Sequence, residues 1–150
     1  MQPKSIDDVK AKIPELLEQV PYLKLLVLFG SRARGDNQES SDWDFAVLFD
    51  EELRKQHEPD GLDCYRSWMI LQDILDLGDN EMDWVDLKDA SKLLAHEIAK
   101  DGVVIYESSS EIFGQFHRKC LISPEALREI NLATKKRIRQ KLELWKQVKA

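Results

Sequence analysis

Two pairs of residues in the first third of the chain have the types and spacing of a phosphate-handling site. Gly30-Ser31 ends an apolar run, 25–29, and Asp42 and Asp44 open the next one, 45–49. If both runs are β-strands, the two-residue period places Asp42 and Asp44 on one face, where their carboxylates converge. Magnesium takes only one or two protein carboxylates and leaves its other positions to water and substrate phosphates. The pattern therefore predicts a turn that holds phosphates beside aspartates that hold the metal.

The residues around the turn suit contact with a triphosphate. Gly30 lets the backbone approach the phosphates closely, and the amide and hydroxyl of Ser31 can donate to their oxygens. Arg32 and Arg34 flank the turn, and a guanidinium fits phosphate in a bidentate way. Either arginine could equally form a surface salt bridge, and the sequence leaves both alternatives open for each of them.

This arrangement resembles the signature of the nucleotidyltransferase superfamily that includes DNA polymerase beta. The signature is Gly-Ser, ten residues, then Asp-x-Asp, and Gly30-Ser31 and Asp42-Trp43-Asp44 match it at that spacing. The loop Gly-Ser-Arg-Ala-Arg-Gly and the strand Ser-Asp-Trp-Asp-Phe-Ala-Val-Leu are most similar to minimal nucleotidyltransferases, the MntA-like antitoxins paired with HEPN-domain toxins. The likeness covers residues 22–106.

The resemblance implies a third carboxylate on a later, adjacent strand. Asp83, within the stretch 82–87, is the position that matches, and it would help to bind the catalytic metal and accept the proton of the acceptor hydroxyl. Asp86 is the alternative, because strand registers slip easily when they are inferred from sequence. Trp43 points to the opposite face and is expected in the core, where the family more often has a smaller apolar residue.

The resemblance also implies a function and its partners. Asp42, Asp44 and Asp83 would be the catalytic, metal-binding residues, with Mg²⁺ as cofactor, ATP as substrate and Gly30, Ser31, Arg32 and Arg34 as nucleotide ligands. AMP would pass to a tyrosine of a HEPN ribonuclease toxin in a hetero-oligomer, with no membrane and at most indirect contact with nucleic acid. The alternatives are an antitoxin that only binds its partner, and an enzyme that modifies a small molecule such as an aminoglycoside.

Length and composition favour one small soluble domain. The chain has 150 residues, 43% hydrophobic and 33% charged, close to the usual domain size. Its apolar runs are far shorter than the roughly 20 residues that span a bilayer, so we expect a cytoplasmic protein. The two cysteines, Cys64 and Cys120, lack metal or disulfide spacing, and no role is predicted for them or for the three histidines, His57, His96 and His117.

The periodicity predicts an α/β (α+β) nucleotidyltransferase fold, a small mixed β-sheet of about four strands flanked by helices. Strands are expected at 24–29, 42–49, 81–87 and 103–106. Helices are expected from Ser5 to Pro21 with Pro14 as a weak point, then at 32–37, 62–77 and 90–100, and from Ser123 as a long C-terminal helix. Residues 50–60 are expected to be a flexible connection.

The charge is divided along the chain. Residues 1–117 hold 12 Lys+Arg against 25 Asp+Glu, a net charge of −13, whereas residues 118–150 hold 10 against 3, a net charge of +7. We therefore predict one domain, 1–150, with a catalytic core at about 22–106 and a basic helical tail at about 118–150. Such a tail suits an acidic protein or a nucleic acid, and a solvated helix face is the simpler explanation.

Overall fold

The computed structural model describes residues 1–57 and 64–149, and its centre is a four-stranded mixed sheet. The strands are β1 (Leu23–Phe29), β2 (Trp43–Phe49), β3 (Met82–Asp86) and β4 (Val103–Glu107). They lie in the order β3-β2-β1-β4, with β1 antiparallel to β2 and β4, and β2 parallel to β3. The predicted mixed sheet is confirmed.

The described residues also form helices whose boundaries follow local capping signals. Ser5, Ser91 and Ser123 each accept a hydrogen bond from the backbone amide three residues later, which satisfies a first-turn donor. The helices are α1 (Ile6–Ala11), α2 (Ile13–Gln19), α3 (Ser31–Arg34), α4 (Glu51–His57), α5 (Cys64–Leu75), α6 (Lys92–Asp101), α7 (Ile112–Cys120) and α8 (Pro124–Lys149). Within this part of the chain, no helix is both long and apolar enough to cross a membrane.

Helices cover both faces of the sheet, which is why the inner strands are continuously apolar. Residues 25–28 of β1 are all fully buried, although successive side chains point to opposite faces. Leu26 and Phe45 pack on the face that carries Val9, Leu16 and Leu71. Leu25, Val27 and Ala46 pack on the other face with Ile98, Phe113 and Phe116. Asp44 lies two residues before Ala46 and therefore shares this second face.

The single first helix predicted from the sequence is wrong, because the chain forms two short helices there. α1 ends at Ala11, and Lys12 serves as the C-cap of α1 and the N-cap of α2. Pro14 falls in the first turn of α2, where its missing N–H costs nothing. A continuous helix would have set the Pro14 ring against the carbonyl of Lys10.

The flexible connection predicted for residues 50–60 is wrong for its first part. Residues 51–57 form α4, and residues 58–60 lie outside the described residues. Asp50 accepts a hydrogen bond from the amide of Leu53 at 3.1 Å, an N-terminal cap. Two acidic residues follow in the first turn of α4 and basic residues occupy its last turn, which suits the helix dipole.

Two helix ends and one unpredicted helix also differ from the predictions. α3 is a single turn that begins at Ser31 and is closed by Gly35 at φ 84°, so the helix predicted to Asn37 stops earlier. α5 ends at Leu75 and not at residue 77, because Asp76 takes a φ of 57°. α7 had no prediction at all, although Phe113 and Phe116 pack on the second face of the sheet.

Candidate active site

The turn after β1 depends on a glycine at position 30. Gly30 has φ 74° and ψ −158°, a region that only glycine enters readily. A Cβ at this position would collide with the carboxylate oxygen Oδ2 of Asp44. The carbonyl of Gly30 accepts hydrogen bonds from the amides of Ala33 and Arg34, both at 3.1 Å. The turn is therefore folded tightly against the carboxylate of the neighbouring strand, with Ser31 as the first residue of α3.

The strand register brings Asp83 beside Asp44. Asp44 is the partner of Phe29 across the antiparallel pair and of Asp83 across the parallel pair. Directly opposed residues of neighbouring strands share a face, so both side chains lie on the side of the Gly30 turn. Asp42, exposed, precedes Asp44 by two residues. The structure thus brings together the turn and the three predicted carboxylates at one end of β2.

Asp86 lies on the opposite side of β3. It pairs with Val47 in the register, three residues after Asp83, an odd spacing that reverses the face. Its Oδ1 accepts a hydrogen bond from the amide of Lys88 at 3.0 Å. The carboxylate of Asp86 therefore stabilises the turn after β3, and its position favours Asp83 as the third member of the group.

The electrostatics of the site centre on Asp44. Burial raises the pKa of Asp44 to about 6, and a hydrogen bond with Asp83 and the negative charges of Asp83 and Asp42 act in the same direction. The positive charge of Arg34 opposes them and lowers the pKa. A hydrogen bond between two carboxyl groups requires a proton between them. Asp44 and Asp83 therefore form a crowded acidic pair that a cation would stabilise.

We predict that Asp44→Asn raises the thermal stability of the metal-free protein at pH 7.5. The folded-state pKa of about 6 exceeds the ordinary value of 3.8 for an aspartate, so ionised Asp44 lowers stability above pH 6, and this cost disappears as pH falls toward 4. Because the group is partly exposed, we expect a gain of about 1 kcal/mol, or about 2–4 °C in Tm. The gain in Tm is measured by thermal unfolding followed by circular dichroism, in the presence of a chelator, at pH 7.5 and at pH 4.

Glu97→Gln is the matched control for this prediction, because it removes one exposed carboxylate from α6 without touching the acidic pair. We expect no change in its Tm at either pH. A gain for Asp44→Asn that is equally large at pH 4 would contradict the assigned origin of the pKa shift.

The two arginines of the turn face different surroundings. Arg34 is exposed and forms an ion pair with Asp36 at 3.2 Å, and its charge acts on Asp44. Arg32 instead donates from Nε to the carbonyl of Ser41 at 3.0 Å and from Nη2 to that of Glu39 at 3.2 Å. Its guanidinium carbon lies 4.3 Å from the ring centroid of Trp43. A phosphate contact by Arg34 or Arg32 stays a prediction, and Arg32 already donates to two backbone carbonyls of the loop.

Trp43 belongs to the core, as predicted. Its side chain is 4% exposed and lies 6.3 Å from the ring of Phe45, nearly parallel to it. Both residues face the side of the sheet away from Asp44, since odd and even residues alternate. The Arg32 contacts with this ring and with the loop carbonyls, which sequence reasoning missed, fix the loop that leads into Asp42.

The donor atoms of the site fit Mg²⁺ in kind and number. Mg²⁺ prefers oxygen and takes one or two carboxylates from a protein, with phosphates and water in its other positions. Among residues 1–57 and 64–149, no three His, Cys, Asp or Glu side chains are already arranged as ligands of one ion. A site that shares its metal with substrate phosphates needs no such preformed cage. Such an ion would bind at the carboxylate of Asp44, with Asp42 and Asp83 beside it.

A mixed sheet of this order, with a glycine turn after β1 and paired aspartates at the start of β2, is the arrangement of a nucleotidyltransferase. The family model described as "Polymerase beta, Nucleotidyltransferase" matches residues 11–111, which include the turn and the three carboxylates. The chain belongs to this nucleotidyltransferase family, as the sequence predicted.

Within the nucleotidyltransferase family, this chain is similar to proteins of the MntA group. The protein adenylyltransferase MntA of Aphanizomenon flos-aquae (strain 2012/KM1/D3) is 41% identical over 133 residues, which is 87% of this chain and 87% of that protein. A crystal structure of a toxin–antitoxin with AMP-PNP superimposes with a TM-score of 0.58 at 27% identity, over 89% of this chain and 98% of the other. The structure of a tri-AMPylated Shewanella oneidensis HEPN toxin in complex with MNT antitoxin gives 0.55 at 25% identity, over 92% and 98%.

Proposed function

We propose that this chain is a Mg²⁺-dependent protein adenylyltransferase that acts as an antitoxin. It transfers AMP from ATP to a tyrosine of a HEPN ribonuclease toxin and so neutralises the toxin. The observation that carries the proposal is the Asp44–Asp83 acidic pair folded against the Gly30 turn. The 41% identity to a protein adenylyltransferase supports the transfer of an adenylyl group and a protein as the acceptor.

Each residue of the site has a role in this reaction. Gly30 and Ser31 hold the triphosphate with backbone and hydroxyl donors, and Arg34 offers a guanidinium on the carboxylate side of the turn. Asp42 and Asp44 bind the metal, and Asp83 accepts the proton of the acceptor hydroxyl. Bound Mg²⁺ supplies charge neutralisation at the triphosphate and activation of the acceptor oxygen. Positioning and charge compensation are what phosphoryl and nucleotidyl transfer mainly require.

The acceptor has to be brought by another molecule. The helices and strands of the described residues are accounted for by one sheet with its two covering layers and the long α8, and none of these described elements forms a second domain over the carboxylates. One of the similar solved structures contains a HEPN toxin in complex with an MNT antitoxin. A stable hetero-oligomer with a HEPN toxin would place a tyrosine of the toxin at the carboxylates.

Incubation of the purified chain with ATP labelled on the α-phosphate, MgCl₂ and the HEPN protein encoded beside it tests the proposal. We expect label on a tyrosine of the HEPN protein, found by peptide mass spectrometry, and loss of ribonuclease activity in parallel. A chelator should prevent both. Neutralisation of the toxin without any label would contradict the proposal and favour an antitoxin that only binds. Label on an aminoglycoside in place of protein would favour the small-molecule enzyme.

The basic tail offers a surface for this partner. Every residue from Lys135 to Lys149 is exposed, and α8 carries an apolar stripe that has no cover within the described residues. The exposed fractions along it are 54% at Ile138, 52% at Leu142 and 57% at Trp145. Two copies of this helix would repel each other because residues 118–150 carry a net charge of +7. An acidic surface of the partner is the better complement.

We predict that reversing four basic charges of α8 weakens association with the HEPN partner. The charges are those of Lys135, Lys136, Arg139 and Lys146, each changed to Glu. The loss should be largest at low salt, because salt screens exposed charges, and ATP binding should not change. Titration calorimetry over a range of salt concentrations measures both affinities. The control reverses four exposed lysines elsewhere, Lys10, Lys12, Lys24 and Lys92, and an equal effect of both sets would rule out a specific role of the tail.

A further inference from the structure

Arg32 ties down the loop that leads into Asp42. Its guanidinium donates from Nε to the carbonyl of Ser41 at 3.0 Å and from Nη2 to the carbonyl of Glu39 at 3.2 Å. Among the described residues, these two are the hydrogen bonds that join residues 37–42 to groups outside that segment. The position of Asp42 therefore depends on Arg32 on one side and on the start of β2 on the other.

Trp43, the residue after Asp42, is the platform on which this guanidinium lies. The guanidinium carbon is 4.3 Å from the ring centroid, a separation typical of a cation–π contact. The ring is buried, and the amide of Trp43 donates to the carbonyl of Glu81 at 2.9 Å, which fixes the start of β2. A planar guanidinium can stack on a ring and donate in two fixed directions at once, whereas an ammonium group cannot. Arg32 therefore links a rigid platform to the loop beside it.

The guanidinium of Arg32 lies on the side of the sheet away from the carboxylates. The side chains of Trp43 and Asp44 point to opposite faces, because the two residues are consecutive in β2. Arg32 lies over the ring of Trp43 and lines a cleft of about 990 Å³ on that side. The other described residues that line it are residues 1–4 and 37–41, Trp43 and Glu81, so the three carboxylates of the site are not among them. Arg32 therefore faces away from the metal and from the phosphates that the metal would bind.

Building on the proposed function, we propose that Arg32 is a positioning residue that holds Asp42 in place as a metal ligand and does not bind the nucleotide. It acts through the backbone, because the carbonyls that it binds belong to the residues just before Asp42. Without these bonds the exposed loop has more conformations, and bringing the Asp42 carboxylate to the metal then costs entropy. Arg32 also follows Ser31 directly in α3, so one side chain joins the phosphate turn to the loop that supplies the metal ligand.

Binding of Mn²⁺ in the absence of nucleotide tests this role, because charge and positioning predict opposite signs. A positive charge near the carboxylates repels a metal ion, so its removal alone should tighten Mn²⁺ binding. If Arg32 positions Asp42, Arg32→Gln should instead weaken Mn²⁺ binding about tenfold, a loss typical of groups that orient a metal ligand. Electron paramagnetic resonance measures free Mn²⁺ during the titration, and circular dichroism checks the folding of each variant. Unchanged or tighter binding by Arg32→Gln would overturn the inference.

Two further variants make the Mn²⁺ titration specific. Arg32→Lys keeps the charge but loses the planar guanidinium, so it should weaken Mn²⁺ binding as much as Arg32→Gln does. Binding at the parent affinity by Arg32→Lys would show that only the charge matters and would also overturn the inference. The matched control is Arg34→Gln, the same change at the other arginine of the turn. The charge of Arg34 acts on Asp44, so this variant should not weaken Mn²⁺ binding.

Kinetics of AMP transfer to the HEPN partner separate positioning from a nucleotide contact. Arg32→Gln should raise the free Mg²⁺ concentration that gives half the maximal rate about tenfold and leave KM for ATP at saturating Mg²⁺ unchanged. A raised KM for ATP that Arg32→Lys restores would make Arg32 a phosphate ligand and overturn the inference. If the chain modifies no HEPN protein but both Arg32 variants bind Mn²⁺ more weakly, only the proposed function fails. If AMP transfer occurs and Mn²⁺ binding does not change in these variants, only the inference about Arg32 fails.

Discussion

Asp42→Ala and Asp44→Ala are each expected to abolish AMP transfer while the protein stays folded. Asp42 is exposed and Asp44 is only partly buried, so neither side chain supports the core. Each substitution removes the negative charge of a metal ligand from a site that has few other ligands. Loss of such a charge lowers the rate of phosphoryl transfer on the order of 10³-fold or more. The initial rate of label transfer from ATP to the HEPN partner measures the loss, with circular dichroism as the check on folding.

The control for these variants is Asp89→Ala, which removes an exposed carboxylate outside the site and should keep the parent rate. Binding of the HEPN partner should also persist in the inactive variants, since the tail is untouched. A rate within about tenfold of the parent for either variant would place the chemistry elsewhere, because a metal ligand is worth far more than that.

The same assay separates the two candidates for the third carboxylate. Asp83→Ala should reduce the rate as strongly as Asp44→Ala, because Asp83 is the register partner of Asp44. Asp86→Ala should cost little activity, because Asp86 faces the other side of β3 and binds the amide of Lys88. The reverse outcome would mean that the strands pair in a different register during catalysis.

The strands that carry the site could be predicted because their signal is local. One apolar run ends at Gly30-Ser31, and another begins after Asp44. These local signals mark the end of β1 and the start of β2, and the predicted bounds of both strands agree with the structure within a residue or two. The choice between Asp83 and Asp86 could not be made in this way. It depends on the pairing of β2 with β3 across a crossover, and a slip of one residue exchanges the two faces.

The roles of Arg32 and Arg34 could have been separated further from the sequence. Two residues apart on a helical turn, the side chains point about 200° apart and do not share a face. One of them therefore had to face away from the carboxylates, but only the packed structure identifies it as Arg32, through its contacts with Trp43 and with the carbonyls of Ser41 and Glu39.

The two helices that the sequence reasoning missed have different explanations. α4 has a start signal, Asp50 followed by two glutamates, but the polar composition of the segment and the turn signal Pro59-Asp60-Gly61 favour a loop prediction. α7 begins after Glu111 at φ 75° without a side-chain cap. Its formation depends on packing Phe113 and Phe116 against the second face of the sheet, a tertiary effect that outweighs the weak local signal.

Gly30→Ala is expected to destabilise the protein and to reduce AMP transfer at least about a hundredfold, because small misplacement of reacting groups costs that much. Two separate costs arise. The φ of 74° with ψ of −158° costs a non-glycine residue about 1–3 kcal/mol. The new Cβ would also meet the Asp44 carboxylate, so either the turn or the metal ligand has to move.

Gly35→Ala isolates the first of these costs, since Gly35 has φ 84° but nothing within 4 Å of its would-be Cβ. It should lower Tm modestly and keep most of the activity. The collision itself is tested by adding Gly30→Ala to Asp44→Ala, which removes the carboxylate that the Cβ would strike. The drop in Tm caused by Gly30→Ala should then shrink toward that of Gly35→Ala, a coupling that a double-mutant cycle reports directly. An equal drop in both backgrounds would mean that the strain lies in the backbone alone and that Gly30 does not set the position of the metal ligand.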